Sequence, residues 1–330
     1  MSEEIQQAVI MVGGKGTRLR PLTENVPKPM LPVMGIPCLE YVIRSLIGSG
    51  VKEIILACGY RSDVISDFVG DGSKFGADVS FAYEEEPAGT AGSIKLLQDR
   101  LDDTFLVASG DVLADVDIQG MVESHRHGGC AVTMALTRVD NPTEFGIVGL
   151  DEDGRVERFR EKPPPEEVFS DLVNAGIYIM DRDVMDRVPA GVMYDFSKDL
   201  FPDVLSNGLG IRGHILQGFW MDIGRPSDLL RANISKAAAL GGEGHSHVMD
   251  GVQLRDVRVL SSVVHPGVKA EACVIEGSLI LDGTVIGEGS HIIDSIIGRK
   301  VKIGKGCKLR GAVLADDDSI PDGYVSETWA

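Results

Sequence analysis

Gln7-Ala8-Val9-Ile10-Met11-Val12-Gly13-Gly14-Lys15-Gly16-Thr17-Arg18-Leu19-Arg20-Pro21-Leu22-Thr23 runs an apolar segment straight into a glycine-rich, basic one. The first six residues, β-branched members among them, predict a buried strand, so the glycines fall where the chain must turn. Gly13, Gly14 and Gly16 let main-chain N–H groups come close to a ligand, and Thr17 adds a hydroxyl. Arg18 and, past Pro27, Lys28 put two fixed positive charges on one long loop, which suits a triphosphate better than a neutral ligand. Spacing excludes two common phosphate motifs. Leu19 stands where a dinucleotide fingerprint needs a third glycine or alanine, and neither Gly13 nor Gly14 is followed at the right distance by the Gly-Lys-Ser/Thr of a Walker A loop.

Outward from this loop, short apolar runs at residues 8–12, 53–57, 79–83, 105–108 and 131–136 predict strands. Amphipathic stretches at 39–48, 63–69, 91–100 and 119–126 predict helices. The alternation implies crossover units and an α/β domain with a Rossmann-like, mostly parallel sheet, whose ligands sit beyond the carboxyl ends of the strands. From Phe145 to Ile223 the pattern loosens into shorter strands, with Asp151-Glu152-Asp153-Gly154 as a hairpin-like connection. Pro226 opens a last helix, with Leu229, Leu230, Ile234 and Ala237 on one face to about Leu240. Gly241-Gly242-Glu243-Gly244-His245-Ser246-His247 reads as a flexible linker whose histidines are solvated. Beyond it Ile286, Ile292, Ile297, Ile303, Leu309, Leu314 and Ile320 recur every five or six residues, with a weaker precedent at Val252, Val257, Val263 and Val268. Such a period resembles the hexapeptide repeat of a short left-handed parallel β-helix, here of about three to five coils. Its open end predicts association with another copy, a homo-oligomer. The expected division is a catalytic domain at 1–240, a linker at 241–247 and the β-helix at 248–330.

The opening loop, continued by Pro27-Lys28-Pro29-Met30-Leu31-Pro32-Val33, resembles the signature of the sugar-1-phosphate nucleotidylyltransferases. Further matches follow in that family's order: Glu84-Glu85-Glu86-Pro87-Ala88-Gly89-Thr90-Ala91-Gly92, Ser109-Gly110-Asp111-Val112, Phe145-Gly146-Ile147-Val148, Glu161-Lys162-Pro163, Val173-Asn174-Ala175-Gly176-Ile177-Tyr178 and Gly218-Phe219-Trp220-Met221-Asp222-Ile223-Gly224. The Glu-Glu-Glu-Pro and Phe-Trp-Met-Asp-Ile-Gly strings are most similar to mannose-1-phosphate guanylyltransferases. Ala88 departs from the leucine of the guanylyl group, and thymidylyl or uridylyl transfer to glucose 1-phosphate stays open.

The resemblance implies nucleotidyl transfer from a nucleoside triphosphate to a sugar 1-phosphate. Arg18 and Lys28 would be catalytic, and Asp111 and Asp222 would jointly hold one Mg2+. The nucleotide would meet Gly13, Gly14, Gly16, Thr17, Glu86, Pro87, Gly89, Thr90 and Gly110, and the sugar phosphate Gly146, Glu161, Lys162, Asn174 and Gly176. The attacking phosphate oxygen is already anionic near neutral pH, so the reaction needs alignment and charge neutralisation rather than a general base. At the start of the segment after Pro87, backbone N–H groups are expected to stay free for the base or ribose.

The chain has 330 residues, 43% of them apolar, and a formal net charge of −18. That charge opposes a nucleic acid partner but admits a divalent cation accompanying a triphosphate. No apolar run reaches membrane-spanning length and Met1-Ser2-Glu3-Glu4 is acidic, so no membrane partner and a cytoplasmic location are expected. Cys38, Cys58, Cys130, Cys273 and Cys307 include no C-x-x-C pair and read as buried thiols. Two other functions are weighed. A regulatory, non-catalytic nucleotide-sugar sensor would be expected to lose Arg18, Lys28 or an aspartate, and all are kept. An acyltransferase using His265 or His291 as base is disfavoured by the short tail, where both histidines read as solvated.

Overall fold

The computed structural model describes residues 5–84 and 86–326, so Glu85 of the acidic string and Met1-Ser2-Glu3-Glu4 lie outside the described residues. The chain divides into two compact units, one of the segment up to Gly14 with Leu39–Trp220, the other of Lys15–Cys38 with the chain from Met221 onward.

The first unit is built on one mixed sheet. Its strands are β1 (Gln7–Met11), β2 (Glu53–Cys58), β3 (Asp78–Tyr83), β4 (Thr104–Ser109), β5 (Val132–Arg138), β6 (Gly146–Leu150), β7 (Val156–Glu161), β8 (Leu172–Asp181) and β9 (Ile211–Ile215). The lateral order is β7-β6-β8-β4-β1-β2-β3, with β5 pairing both β8 and β9. Strands β4, β1, β2 and β3 are parallel, joined by the expected crossovers through α1 (Cys38–Gly48), α2 (Ser62–Val69) and α3 (Thr90–Lys95). The predicted helix at 91–100 is shorter, α3 giving way to a separate 3₁₀ turn at Gln98–Arg100. Helix α4 (Ile118–Gly128) leads into β5, and α5 (Phe201–Ser206) precedes β9.

The "mostly parallel" reading holds for that half and for β9 on β5, while β8 runs antiparallel to β4 and β5, and β6 antiparallel to β7. The reason is local. Asp151 Oδ1 accepts the N–H groups of Asp153 and Arg155, and Gly154 takes φ 79°, which closes a short hairpin between β6 and β7 instead of a helical crossover. The core gathers Val9, Ile55, Phe105 and Val107 from the sheet centre with Tyr178, Phe196 and Phe201, whose rings meet at centroid distances of 5.1 to 5.6 Å.

In the second unit, α6 (Pro226–Gly241) begins at the predicted proline. A parallel β-helix follows. Strand His247–Val248 pairs with Val263–Val264, then Leu279–Ile280, Ile296–Ile297 and Val313–Leu314, and two further faces repeat the pattern. Among the described residues five strands stack on two faces and four on the third, at the upper end of the expected coil count. The aliphatic ladder read from sequence, Ile286, Ile292, Ile297, Ile303 and Leu309, is buried between the faces.

Two devices hold the coils in register. One corner takes left-handed backbone in every turn, at Gly251, Gly267, Gly283, Lys300 and Asp317. Inside, Ser246, Ser262, Ser278 and Ser295 form a column in which each hydroxyl accepts an N–H of the next coil, while Ser262, Ser278 and Ser295 also donate to a carbonyl two residues back. Among the described residues no helix is long and apolar enough to cross a membrane.

Candidate functional site

Within the second unit the glycine-rich loop folds back on itself. Gly16 takes φ 59°, its carbonyl accepts the Thr23 hydroxyl at 2.8 Å, and a Cβ there would lie 3.1 Å from Lys28 Cβ. The strand after Gly218 and the turn before α6 bring Asp222 to the same place. Lys28 Nζ donates to Asp222 Oδ1 at 3.2 Å, with the two side chains only 13% and 26% exposed. Gly224 sits against the rest of the cluster: a Cβ built on it would lie 3.2 Å from Asp222 Oδ2, 3.4 Å from an Arg18 guanidinium nitrogen and 3.5 Å from Asp228 Oδ2. Arg18, Lys28 and Asp222, separated in sequence by about two hundred residues, thus share one site. Thr17 and Arg18 lie on a 3₁₀ turn, Thr17–Leu19, and Lys28 on another, Lys28–Met30.

In the first unit, parallel pairing of β1 with β4 sets Met11 beside Ser109, so Gly13 and Gly110-Asp111 leave the sheet side by side at its carboxyl edge. Gly110 is required there. Its N–H bonds Met11 O at 3.0 Å, and a Cβ would meet Val12 Cγ1 at 2.7 Å. Ser109 Oγ donates to Asp111 Oδ1 at 2.6 Å and fixes that carboxylate's rotamer. Gly13 lies close to Gly59, where a Cβ would come 2.9 Å from Gly13 O. Gly14 has open space around its Cα.

The acidic string places Glu84 at the end of β3, where Glu84 Oε2 accepts the Ala88 N–H at 3.3 Å and burial raises its pKa. Glu86 and Pro87 follow on the exposed connection. One expectation is corrected here: the N–H groups opening α3 are not left free. Thr90 N–H and Oγ1 both donate to Asp195 Oδ1, while Ala91 and Gly92 N–H both bond Tyr194 O at 2.9 Å. Gly89 takes φ 78°, and a Cβ on it would strike Tyr194 O at 2.7 Å. The segment at 194–196 satisfies this turn, a pairing across more than a hundred residues that no local signal announces.

The residues read as sugar-facing do cluster. Gly146 pairs with Glu161 across β6 and β7, and a Cβ on Gly146 would lie 2.8 Å from Glu161 Oε2. Lys162, with φ 44°, donates its N–H to Phe145 O, and its ammonium stands 3.7 Å from Glu161 Oε1. Asn174 is half-buried, and both ends of its amide are engaged: Nδ2 donates to Tyr178 Oη at 2.9 Å and Oδ1 accepts the Gly176 N–H at 2.9 Å. Burial pushes the Tyr178 phenol pKa well up, and the nearby Glu161 carboxylate adds to it, so the phenol stays protonated. Trp220 Nε1 donates to Ala175 O at 3.0 Å, with its ring edge-on to Phe145. Tyr178 and Trp220 therefore belong to this group, although the sequence reading gave them no role.

The nucleotidyl transferase family model matches residues 7–238, which carry the glycine turn, the Lys28–Asp222 pair and the Gly146–Glu161 sheet edge. The chain belongs to the nucleotidyl transferase family. A second model, the GlmU-like, C-terminal hexapeptide, matches residues 245–326. Mannose-1-phosphate guanylyltransferase of Mycobacterium tuberculosis is 37% identical over 97% of the chain and 82% of its own length. UTP–glucose-1-phosphate uridylyltransferase of Synechocystis is 31% identical over 96% of the chain and 84% of its own length. Among solved structures, HddC from Yersinia pseudotuberculosis, complexed with GMP-PN, superposes with TM-score 0.61 at 28% identity over 70% of the chain and all of its own.

In this nucleotidyl transferase, His265 does not behave as a solvated loop residue. It is 2% exposed, its Nδ1 lies 3.2 Å from Asp282 Oδ2, and its Nε2 is buried without a partner, which corrects the expectation of a solvated imidazole. Packing of the first coils encloses it. All five cysteines are free and buried, as expected. Among the described residues no three His, Cys, Asp or Glu side chains gather as a metal site. Magnesium asks for less, one or two carboxylates completed by water and substrate phosphates, and Asp111 and Asp222 are oxygen donors of that kind.

Proposed function

We propose that the chain transfers the guanylyl group of GTP to mannose 1-phosphate, giving GDP-mannose and pyrophosphate. The observation that carries this is the pairing of Lys28 with Asp222 next to Arg18 on the folded loop. The two relatives named above favour guanine with mannose over uracil with glucose by identity, 37% against 31%.

An oxygen of the sugar phosphate attacks the α-phosphorus of GTP, forming a P–O bond as the bond to the β-phosphate oxygen breaks and pyrophosphate leaves. Charge builds on the α-phosphoryl and bridging oxygens, and Arg18 and Lys28 would be the cations that meet it. Gly13, Gly14, Gly16, Thr17 and Gly110 would line the triphosphate path, and Glu86, Pro87, Gly89 and Thr90 the base and ribose. Thr90, held by Asp195, would shape that wall rather than offer its own N–H. Gly146, Glu161, Lys162, Asn174 and Gly176 would seat the sugar phosphate, with Lys162 on its phosphate and Glu161 accepting a ring hydroxyl. Mg2+ held by Asp111 and Asp222 would neutralise phosphate charge and align the groups. Ser109 and Lys28 orient those two carboxylates.

In functional terms the division would be a catalytic domain at 1–240, a linker at 241–247 and a β-helix at 248–330 that joins copies of the chain. The test is pyrophosphate release with Mg2+ from each of GTP, dTTP and UTP against mannose and glucose 1-phosphates. GTP with mannose 1-phosphate should be the best pair, and EDTA should abolish its turnover. Silence with every pair would leave the regulatory reading standing instead.

A further inference from the structure

The loop carrying Lys28 continues into a small hairpin, Pro32–Val33 paired with Ile36–Pro37. Its two-residue tip has positive φ at both positions, 51° at Met34 and 78° at Gly35. Glycine accepts that conformation freely, but methionine does not, so something must hold Met34 in place. The holder is Asn233 of α6, which is 0% exposed. Its Oδ1 accepts the Met34 N–H at 2.8 Å, and its Nδ2 donates to Pro32 O at 3.1 Å and to Leu229 O at 2.9 Å. On the other side of the tip, Met249 of the first β-helix coil packs so closely on Gly35 that a Cβ there would lie 3.0 Å from Met249 Cε.

From Pro32 back to Lys28 the chain has little freedom. Pro27, Pro29 and Pro32 fix φ, Met30 N–H bonds Pro27 O, and Leu31 N–H bonds Lys28 O. In the other direction Asn233 is two turns along the helix that starts just after Asp222-Ile223-Gly224. The contacts close a ring: Lys28 to Asp222, Asp222 through α6 to Asn233, and Asn233 through the hairpin back to Lys28.

We propose that Asn233 is a positioning residue for transfer, fixing where Lys28 stands relative to Asp222 without touching substrate itself. The inference rests on the functional reading above, in which Lys28 meets the triphosphate. A buried amide with three bonds to backbone is suited to this, because no other neutral side chain of its size accepts from one strand while donating twice. Loss of those bonds would let the proline-stiffened segment shift as a body, and displacements of this kind lower turnover more than binding.

The test uses the full chain and pyrophosphate release from GTP and mannose 1-phosphate, comparing Asn233→Ala, Lys28→Ala and the double variant, with thermal midpoints measured alongside. Asn233→Ala should lose about 10- to 100-fold in kcat with a smaller change in KM. In the Lys28→Ala background it should cost no more than about twofold further, because both changes remove one interaction. Should Asn233→Ala fail to fold, Asn233→Asp, which keeps the volume and the acceptor for Met34, is read by the same criteria. Wild-type kcat in the Asn233 variant, or losses that multiply in the double variant, overturns the inference. Full activity in Lys28→Ala overturns the functional reading and the inference with it, whereas an impaired Lys28→Ala beside a fully active Asn233 variant removes the inference alone.

Discussion

At Gly224 a single methyl group would intrude between Asp222 and Arg18, yet the backbone there is not in the left-handed region, so alanine can adopt it. The Asp222 carboxylate, at 3.2 Å from the added Cβ, would have to move by a few tenths of an ångström. Gly224→Ala is expected to lower kcat for nucleotidyl transfer by about tenfold or more while the thermal midpoint shifts little, since the perturbation falls on a catalytic rotamer rather than on the core. Turnover and melting of the purified variant measure both. Tyr178 offers a second residue-scale prediction. Removing its hydroxyl in Tyr178→Phe deprives Asn174 Nδ2 of its acceptor at 2.9 Å. The amide is then free to rotate, so KM for the sugar 1-phosphate should rise, with about 1 to 2 kcal/mol lost from stability because a half-buried donor loses its partner. An unchanged KM would remove Asn174 from the sugar site.

At the level of elements, the serine column of the β-helix carries the clearest expectation. Ser278 accepts from Ser295 N–H and donates to Glu276 O, both inside the coil stack. Ser278→Ala leaves a buried N–H without an acceptor and should cost about 1 to 3 kcal/mol, read as a lower melting temperature with turnover unchanged. The period behind this column was legible in the sequence because each coil repeats one pattern of small and aliphatic residues. The strands of the parallel half were legible for a related reason: Ala8 to Ile10 and Ile54 to Cys58 are apolar without alternation, the mark of strands covered on both faces. Antiparallel β8 was not anticipated as the partner of β4, since pairing order over seventy residues leaves no local trace. The candidate site divides in the same way. Arg18, Lys28, Asp111 and Asp222 stand out by residue type next to glycine or strand ends. Asn233 and Asp195 act through hydrogen bonds to segments about one to two hundred residues away, Tyr178 through one to Asn174 on its own strand, and all three look ordinary in sequence.

For the molecule as a whole, the grouping of Lys15–Cys38 with the chain beyond Met221 means that the charged loop shares a compact unit with α6 and the β-helix rather than with the sheet strand that precedes it. Activity of the loop should therefore depend on α6 and on the first coil, which hold the hairpin through Asn233 and Met249. The buried thiols give a whole-chain check on integrity. Burial pushes the pKa of Cys58 up to about 12, with the Glu84 carboxylate adding to it, and that of Cys273 to about 11. With access closed by burial at every thiol, a maleimide at pH 7 should label none of the five cysteines in the native chain and all five after denaturation. Fast native labelling of Cys58 would mean that the end of β2, beside Gly13, opens.

The reaction itself is tested most directly by the turnover number of Arg18→Ala with GTP, mannose 1-phosphate and Mg2+, set against its affinity for GTP measured by titration. If Arg18 meets the charge that develops as pyrophosphate departs, kcat should fall about 100- to 1000-fold while the GTP dissociation constant changes far less. A folded Arg18→Ala variant that turns over at the wild-type rate would contradict the assignment of the basic loop as the catalyst.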